Sequence, residues 1–167
     1  MSMRKVLMVA VAAVLGLGAA AAPTKTFDRF KGLAGDWVAA EDSEYAKKGD
    51  LIARYHLTGG GSAVVEDLFP GTPHEMTTVY HMDGNDLVLT HYCMTGNQPH
   101  MRAKATEGDT VAFKFDGGTN IDPKKTRHMH DASFQFVSEN EIRTEWSGLA
   151  DGKPGMNVKI HLVRKTS

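Results

Sequence analysis

Glu66, Tyr80, His91 and His130 are the side chains whose types and spacing could do chemistry. A carboxylate and two imidazoles can exchange protons or orient a polar group on a ligand, and a phenol can hydrogen-bond to either. His128 and His130 stand two residues apart, so on a strand both rings leave from one side and could reach a single metal ion. Asp131 adjoins His130 but points to the opposite face of a strand, which makes it unfit to orient that ring. His74-Glu75 matches half of a zinc-protease helix motif, yet it follows Pro73 and lacks the second histidine. The sequence contains no nucleophile elbow, phosphate loop or dinucleotide fingerprint.

The elements that must position these residues centre on the segment 69–101. It holds His74, His81, His91 and His100 together with Cys93, the only cysteine. Two apolar runs, 75–82 and 86–93, flank Asp83-Gly84, a turn dipeptide that predicts a hairpin. A loop of two or four residues pairs Met76, Thr78, Tyr80 and Met82 with Leu87, Leu89, His91 and Cys93, and this more apolar face is expected inside. A three-residue loop would reverse the faces, because a one-residue slip flips every side chain. A two-residue turn at Gly59-Gly60 puts Val64, Glu66 and Leu68 on the side of Tyr55. Phe134 and Phe136 mark the inner face of a late strand, which His130 shares, as does His128 if the strand begins that early.

Parity therefore sends Glu66, Tyr80, His91 and His130 to the interior. Such groups are costly in an apolar interior unless they are paired or bound. Burial raises the pKa of the carboxyl and lowers those of the imidazoles, and mutual pairing opposes both. Three readings follow: the residues hydrogen-bond one another and buried water, they contact a ligand, or they catalyse a reaction with Glu66 or His91 as general base.

Along the whole chain, strand signals recur every 10–12 residues, the spacing of a sandwich or barrel. An aromatic stripe at 24–33 predicts a short helix or turn packed on one end, and Trp37 opens the first strand. Single-faced strands follow at 51–57, 62–69, 75–82, 86–93, 100–106, 110–115, 130–137, 141–147 and 156–162. Only 116–127 is a long loop. About ten strands, nearly all adjacent in sequence and without crossovers, predict an all-β fold: an antiparallel up-and-down β-barrel, whose closure removes sheet edges.

The first 22 residues read as a signal peptide: Arg4 and Lys5, an apolar stretch at 6–18, and small residues at 19–22. The apolar run 6–22 is shorter than the roughly 20 residues a spanning helix needs, so no membrane anchor is expected after cleavage. The remainder, 23–167, is long enough for one domain. Without Arg4 and Lys5, 19 − 2 basic residues face 20 acidic ones, a net charge near −3. No basic stripe stands out, which argues against nucleic acid as a partner. One cysteine cannot form an internal disulfide, so packing must hold the fold in an oxidising compartment, periplasmic or extracellular.

At Gly35-Asp36-Trp37 the chain resembles the calycin superfamily of lipocalin-like barrels, whose G-x-W opens the first strand. The resemblance implies that Trp37 plugs the closed end, that Arg164 in HLVRK packs over it, and that Gly35, Trp37 and Arg164 are structural. The chain departs from true lipocalins in lacking their T-D-Y motif, and from the ten-stranded, haem-binding nitrobindins in lacking a second glycine pair after the tryptophan. Residues 58–131, with GGGSAVVEDLFPGTPHEM, VYHMDG, LVLTHYC and GNQPHM, resemble a group of small exported bacterial proteins to which no activity is attached. No cofactor follows from the likeness. The fold's usual use implies a small, mostly apolar ligand oriented by Glu66, Tyr80, His91 and His130. The alternatives are an enzyme, acid–base or metal-dependent through His128 and His130, and an envelope protein with a purely structural interior. The export reading predicts that the exported form begins within a few residues of Pro23. N-terminal sequencing checks this, and an intact 1–22 segment on exported protein would exclude it.

Overall fold

The computed structural model describes residues 23–166, with the side chains of 23 and 104–107 outside the description. The expected signal segment, 1–22, lies outside the described residues. One helix, α1 (Pro23–Lys31), precedes ten strands. These are β1 (Gly35–Ala39), β2 (Leu51–Thr58), β3 (Ala63–Leu68), β4 (Met76–Asp83) and β5 (Asp86–Tyr92), followed by β6 (Gln98–Glu107), β7 (Thr110–Thr119), β8 (His128–Ser138), β9 (Glu141–Ala150) and β10 (Lys153–Arg164). Each strand pairs antiparallel with its neighbour in sequence, and β1 pairs with β10, so the sheet closes into an up-and-down barrel.

Burial alternates along the strands as their sequences predict; in β3, Val64, Glu66 and Leu68 are buried and the residues between them half-buried. The β4–β5 connection is the even-length loop that puts His91 inside. Asp83 pairs with Asp86, leaving Gly84-Asn85 as a two-residue turn, and Thr78 faces His91. Gly84 has φ 59° at the first central position, where a type II′ turn calls for glycine. The β2–β3 turn is longer than expected. Gly59, Gly60 and Gly61 are all at positive φ in a turn whose centre, Gly60, departs from helical geometry, and Thr58 pairs with Ala63. Two and four are both even, so the inner face is kept while the register moves by two, and Tyr55 comes opposite Glu66.

Helix α1 stops one end of the barrel. Phe30, fully buried, packs its ring 4.8 Å from Tyr80, 5.2 Å from Phe134, 5.4 Å from Phe136 and 5.8 Å from Phe113. Trp37 is also fully buried, its Nε1–H donating to the Leu33 carbonyl at 2.7 Å. The Arg164 guanidinium sits 4.6 Å above the indole and donates to the carbonyls of Gly32 and Ala34, each at 2.7 Å, and of Glu139 at 3.1 Å. Gly35 adopts φ 125°, and a Cβ there would come within 3.2 Å of the Arg164 Nη1. A side chain at position 35 would thus be strained in its backbone and would crowd the arginine.

Emptying the Trp37 site is expected to destabilise the fold by about 3–5 kcal/mol, as large aromatic truncations do. Arg164→Ala should lose less, because the helix-end carbonyls it frees can turn to water. Denaturant titration of both variants checks this, and an unchanged midpoint for Trp37→Ala would remove its role as a plug.

Candidate functional site

The polar interior begins with Glu66, only 1% exposed. Register builds its shell: Tyr55 and Thr78 are its partners on β2 and β4, and Tyr80 is two residues further along β4. Tyr55 Oη donates to Glu66 Oε1 in a very short hydrogen bond, and Tyr80 Oη donates to Oε2 at 2.6 Å. Burial raises the Glu66 pKa above its ordinary value, and hydrogen bonds from Tyr55, Tyr80 and Thr78 hold it back. Burial, reinforced by the carboxylate's charge, pushes both tyrosines well above theirs. The two phenols therefore keep their protons and act as donors.

Thr78 connects this group to His91, which is 1% exposed: Thr78 Oγ1 lies 2.9 Å from His91 Nδ1. The His91 ring packs 5.0 Å from Trp146. Burial alone lowers the His91 pKa to about 4, so the ring is neutral at neutral pH. Its Nε2 is buried and has no hydrogen-bond partner among the described residues. Threonine has one proton to give. If it goes to Glu66, His91 Nδ1 must donate to Thr78 and Nε2 is a bare acceptor; if it goes to His91, Nε2 carries a bare N–H. In either arrangement an unmade hydrogen bond of about 1–3 kcal/mol stays in the interior. Asn97 repeats the pattern in the loop between β5 and β6. It is 2% exposed and donates its Nδ2–H to the Arg127 carbonyl at 2.8 Å, while its Oδ1 is buried and has no partner among the described residues.

His128 and His130 form a second group where β8 begins, at the end of the barrel away from α1. The Thr126 carbonyl, 2.7 Å from His128 Nδ1, can only accept, so that nitrogen carries the proton. In the neutral ring Nε2 then accepts from His130 Nδ1, 3.1 Å away. The His130 ring stacks on Phe115 at 4.9 Å and 21°. His128 is buried, whereas His130 is only half-buried because the β8 register breaks between Met129 and Asp131 and His130 is the extra residue. Burial lowers the His130 pKa against the pull of Asp131, and His128 and Lys114 add to the lowering. Asp131 faces outward and pairs with Lys114 at 2.7 Å, the side that strand parity assigns it.

The fold thus joins Glu66, Tyr80 and His91 through Thr78 and gives His128 and His130 a pairing of their own. Among the described residues, no hydrogen bond or ring contact links the two groups, and no set of three or more His, Cys, Asp or Glu could hold a metal ion. The sequence does not single out Thr78 or Asn97 as members of a site. Parity puts Thr78 on the inner face beside Tyr80, but Asn97 reads as a loop residue, and no pattern signals its burial. No family model matches the chain, and no curated protein matches it. A closed, ten-stranded antiparallel barrel with a buried glutamate and histidine is what the chain forms.

The depressed His91 pKa has a defined sign. Above pH 6.5 the ring is neutral folded and unfolded; as pH falls from 6.5 towards about 4, only the unfolded chain takes up the proton, so stability is lost. The difference in unfolding free energy between the native protein and His91→Gln should therefore move in the variant's favour by about 3 kcal/mol across that window. Subtracting the variant removes whatever Glu66 contributes. Urea titrations at several pH values check it, and a constant difference would mean that His91 titrates as it would in water.

Proposed function

We propose that this protein is an exported, lipocalin-like binding protein that holds a small, mostly apolar molecule in the half of the barrel away from α1. The observation that carries the reading is the buried, unpartnered His91 Nε2. Buried polar atoms are satisfied in the large majority of cases, so one left open beside an aromatic ring invites a partner. Asn97 Oδ1, in the same condition, supports it. The α1 half is filled by Phe30, Trp37, Tyr80, Phe113 and Phe134, so in this reading the guest lies beside His91.

In this reading His91 makes the polar contact and Trp146 the apolar one, with His130 on Phe115 at the rim. Glu66 and Tyr80 act at one remove: through Thr78 they fix the His91 ring and its proton. Binding is favoured over acid–base catalysis because an imidazole with a pKa of about 4 is a weak base. Export rests on the basic, apolar and small-residue pattern of 1–22.

A phenol tests the reading, because its hydroxyl can donate or accept and so satisfies Nε2 in either tautomer. Titration of the mature protein with 4-methylphenol should give saturable quenching of Trp146 fluorescence, and His91→Leu should weaken binding roughly 2–10-fold, the loss of one hydrogen bond. Absence of saturation, or equal affinity in the variant, would refute it.

A further inference from the structure

Thr78 joins two titratable groups. Its Cα partners are Glu66 on β3 and His91 on β5, and all three side chains are buried on the inner face. Its one hydroxyl proton therefore has two claimants, the Glu66 carboxyl and His91 Nδ1, which lies 2.9 Å away. The tyrosines around Glu66 leave that contest alone. Tyr55 Oη and Tyr80 Oη each donate to one oxygen of the carboxyl, and burial keeps both phenols protonated.

Two arrangements of protons leave every group in this chain of bonds paired except His91 Nε2. With Glu66 ionised, all three hydroxyls donate to it. Thr78 then has only lone pairs to offer His91, so Nδ1 carries the ring proton and Nε2 is a bare acceptor. With Glu66 protonated, the carboxyl proton goes to the Thr78 oxygen, because both tyrosines are already donors. Thr78 gives its own proton to Nδ1, and Nε2 carries the N–H. The second arrangement holds one proton more than the first, taken from solvent. A mixture of the two loses a bond: if Thr78 turns to His91 while Glu66 is ionised, the carboxylate gives up a charge-assisted donor, one of the stronger kinds. The neighbours add little charge of their own. Asp67, next to Glu66 on β3, disfavours its ionisation. Against Tyr80 stand Phe30 of α1, Phe113 of β7 and Phe134 of β8, and against His91 stands Trp146 of β9, all uncharged.

We propose that, where His91 is the contact for the guest, Glu66 selects the chemical class of that guest through Thr78: hydrogen-bond donors when the carboxyl is ionised, hydrogen-bond acceptors when it is protonated. This rests on the binding reading above and adds to it a choice between guests. Glu66 and Thr78 are positioning residues here, since neither touches the guest. An indole N–H meets the Nε2 lone pair, and a ketone oxygen meets the Nε2–H. The wrong guest would leave its own polar atom and Nε2 both unpaired, and sites built on a hydrogen bond discriminate sharply against such mismatches. By reciprocity, a bound ketone draws a proton onto Glu66 and a bound indole drives one off.

The test compares indole, which donates, with 1-indanone, which accepts, at similar size and shape. Calorimetry with the mature protein runs from about pH 5 to about pH 9, staying above about 4, where the His91 ring itself takes up a proton. The preference for indole over 1-indanone should rise at least about tenfold with pH, the worth of one hydrogen bond to a charged group. Glu66→Gln, whose amide donates to Thr78 at every pH, should favour the ketone throughout. Thr78→Val should make the preference independent of pH. ¹⁵N NMR of the His91 ring reads the switch with no guest present: the proton should sit on Nδ1 at high pH, and on Nε2 at low pH and in Glu66→Gln. A native His91 tautomer that stays the same over this range, or a preference that ignores pH while 4-methylphenol still binds, would overturn the selection and leave the binding reading standing. Failure of 4-methylphenol itself to bind would remove both.

Discussion

Closure of the barrel depends on β1, a five-residue strand that must pair with both β2 and β10. So short a strand contributes few hydrogen bonds of its own, and a clasp around Trp37 holds it in place. Arg164 stands opposite Trp37 in the β1–β10 ladder, lays its guanidinium over the indole, and bonds to carbonyls on either side of the seam. The planar fork of arginine suits this role, since it can satisfy several acceptors and stack on a ring at once. Two of those acceptors, Gly32 and Ala34, follow α1, and the Leu33 carbonyl between them receives the Trp37 N–H. One cation therefore supports the end of the helix, the plug and the strand that closes the sheet. Without that closure, β1 and β10 would present open edges.

The clasp also decides where polarity can lie. By fixing α1 it drives Phe30 among Tyr80, Phe113, Phe134 and Phe136, and that half of the interior becomes an aromatic cluster. Glu66 sits at the border of this cluster and is tolerated because hydroxyls from Tyr55, Tyr80 and Thr78 surround its carboxyl. Polar networks in a low-dielectric interior stabilise when complete and destabilise when partly satisfied. The barrel contains both conditions. Around Glu66 the acceptors are met; one threonine away, His91 Nε2 is not.

How much of this can be read in the sequence follows from the physics involved. Ten strands and most inner faces are legible because alternation is a local property, visible in runs such as Ala132-Ser133-Phe134-Gln135-Phe136. The inward turn of His91 follows from an even loop at Gly84. At Gly59–Gly61 the turn is two residues longer than the glycine pair predicts, without consequence for the faces, because parity survives an even error. The bulges at His130 and at 155–156 are not legible, since they answer to the twist and close contacts of neighbouring strands. Nor is the meeting of Cys93, Met129 and Met156 at one crevice, since they stand on parts of the chain far apart in sequence. Asn97 escapes because its burial depends on an acceptor thirty residues away, the carbonyl of Arg127.

Glu66 and His91 also constrain each other through protons. Burial raises one pKa and lowers the other, so folding disfavours the charged form of each group. The two shifts give stability opposite pH dependences, which offset one another wherever both act. Stability alone conceals the pair. The hydrogen bonds do not, because Thr78 has a single proton to share. With Glu66 ionised, Thr78 donates to it and His91 Nε2 is left as an acceptor. With Glu66 neutral, its own proton can go to Thr78, Thr78 turns to His91 Nδ1, and Nε2 carries the hydrogen. The chemical character of the open nitrogen is thus set by a carboxyl it never touches, through one hydroxyl whose two neighbours are fixed by the register of β3, β4 and β5.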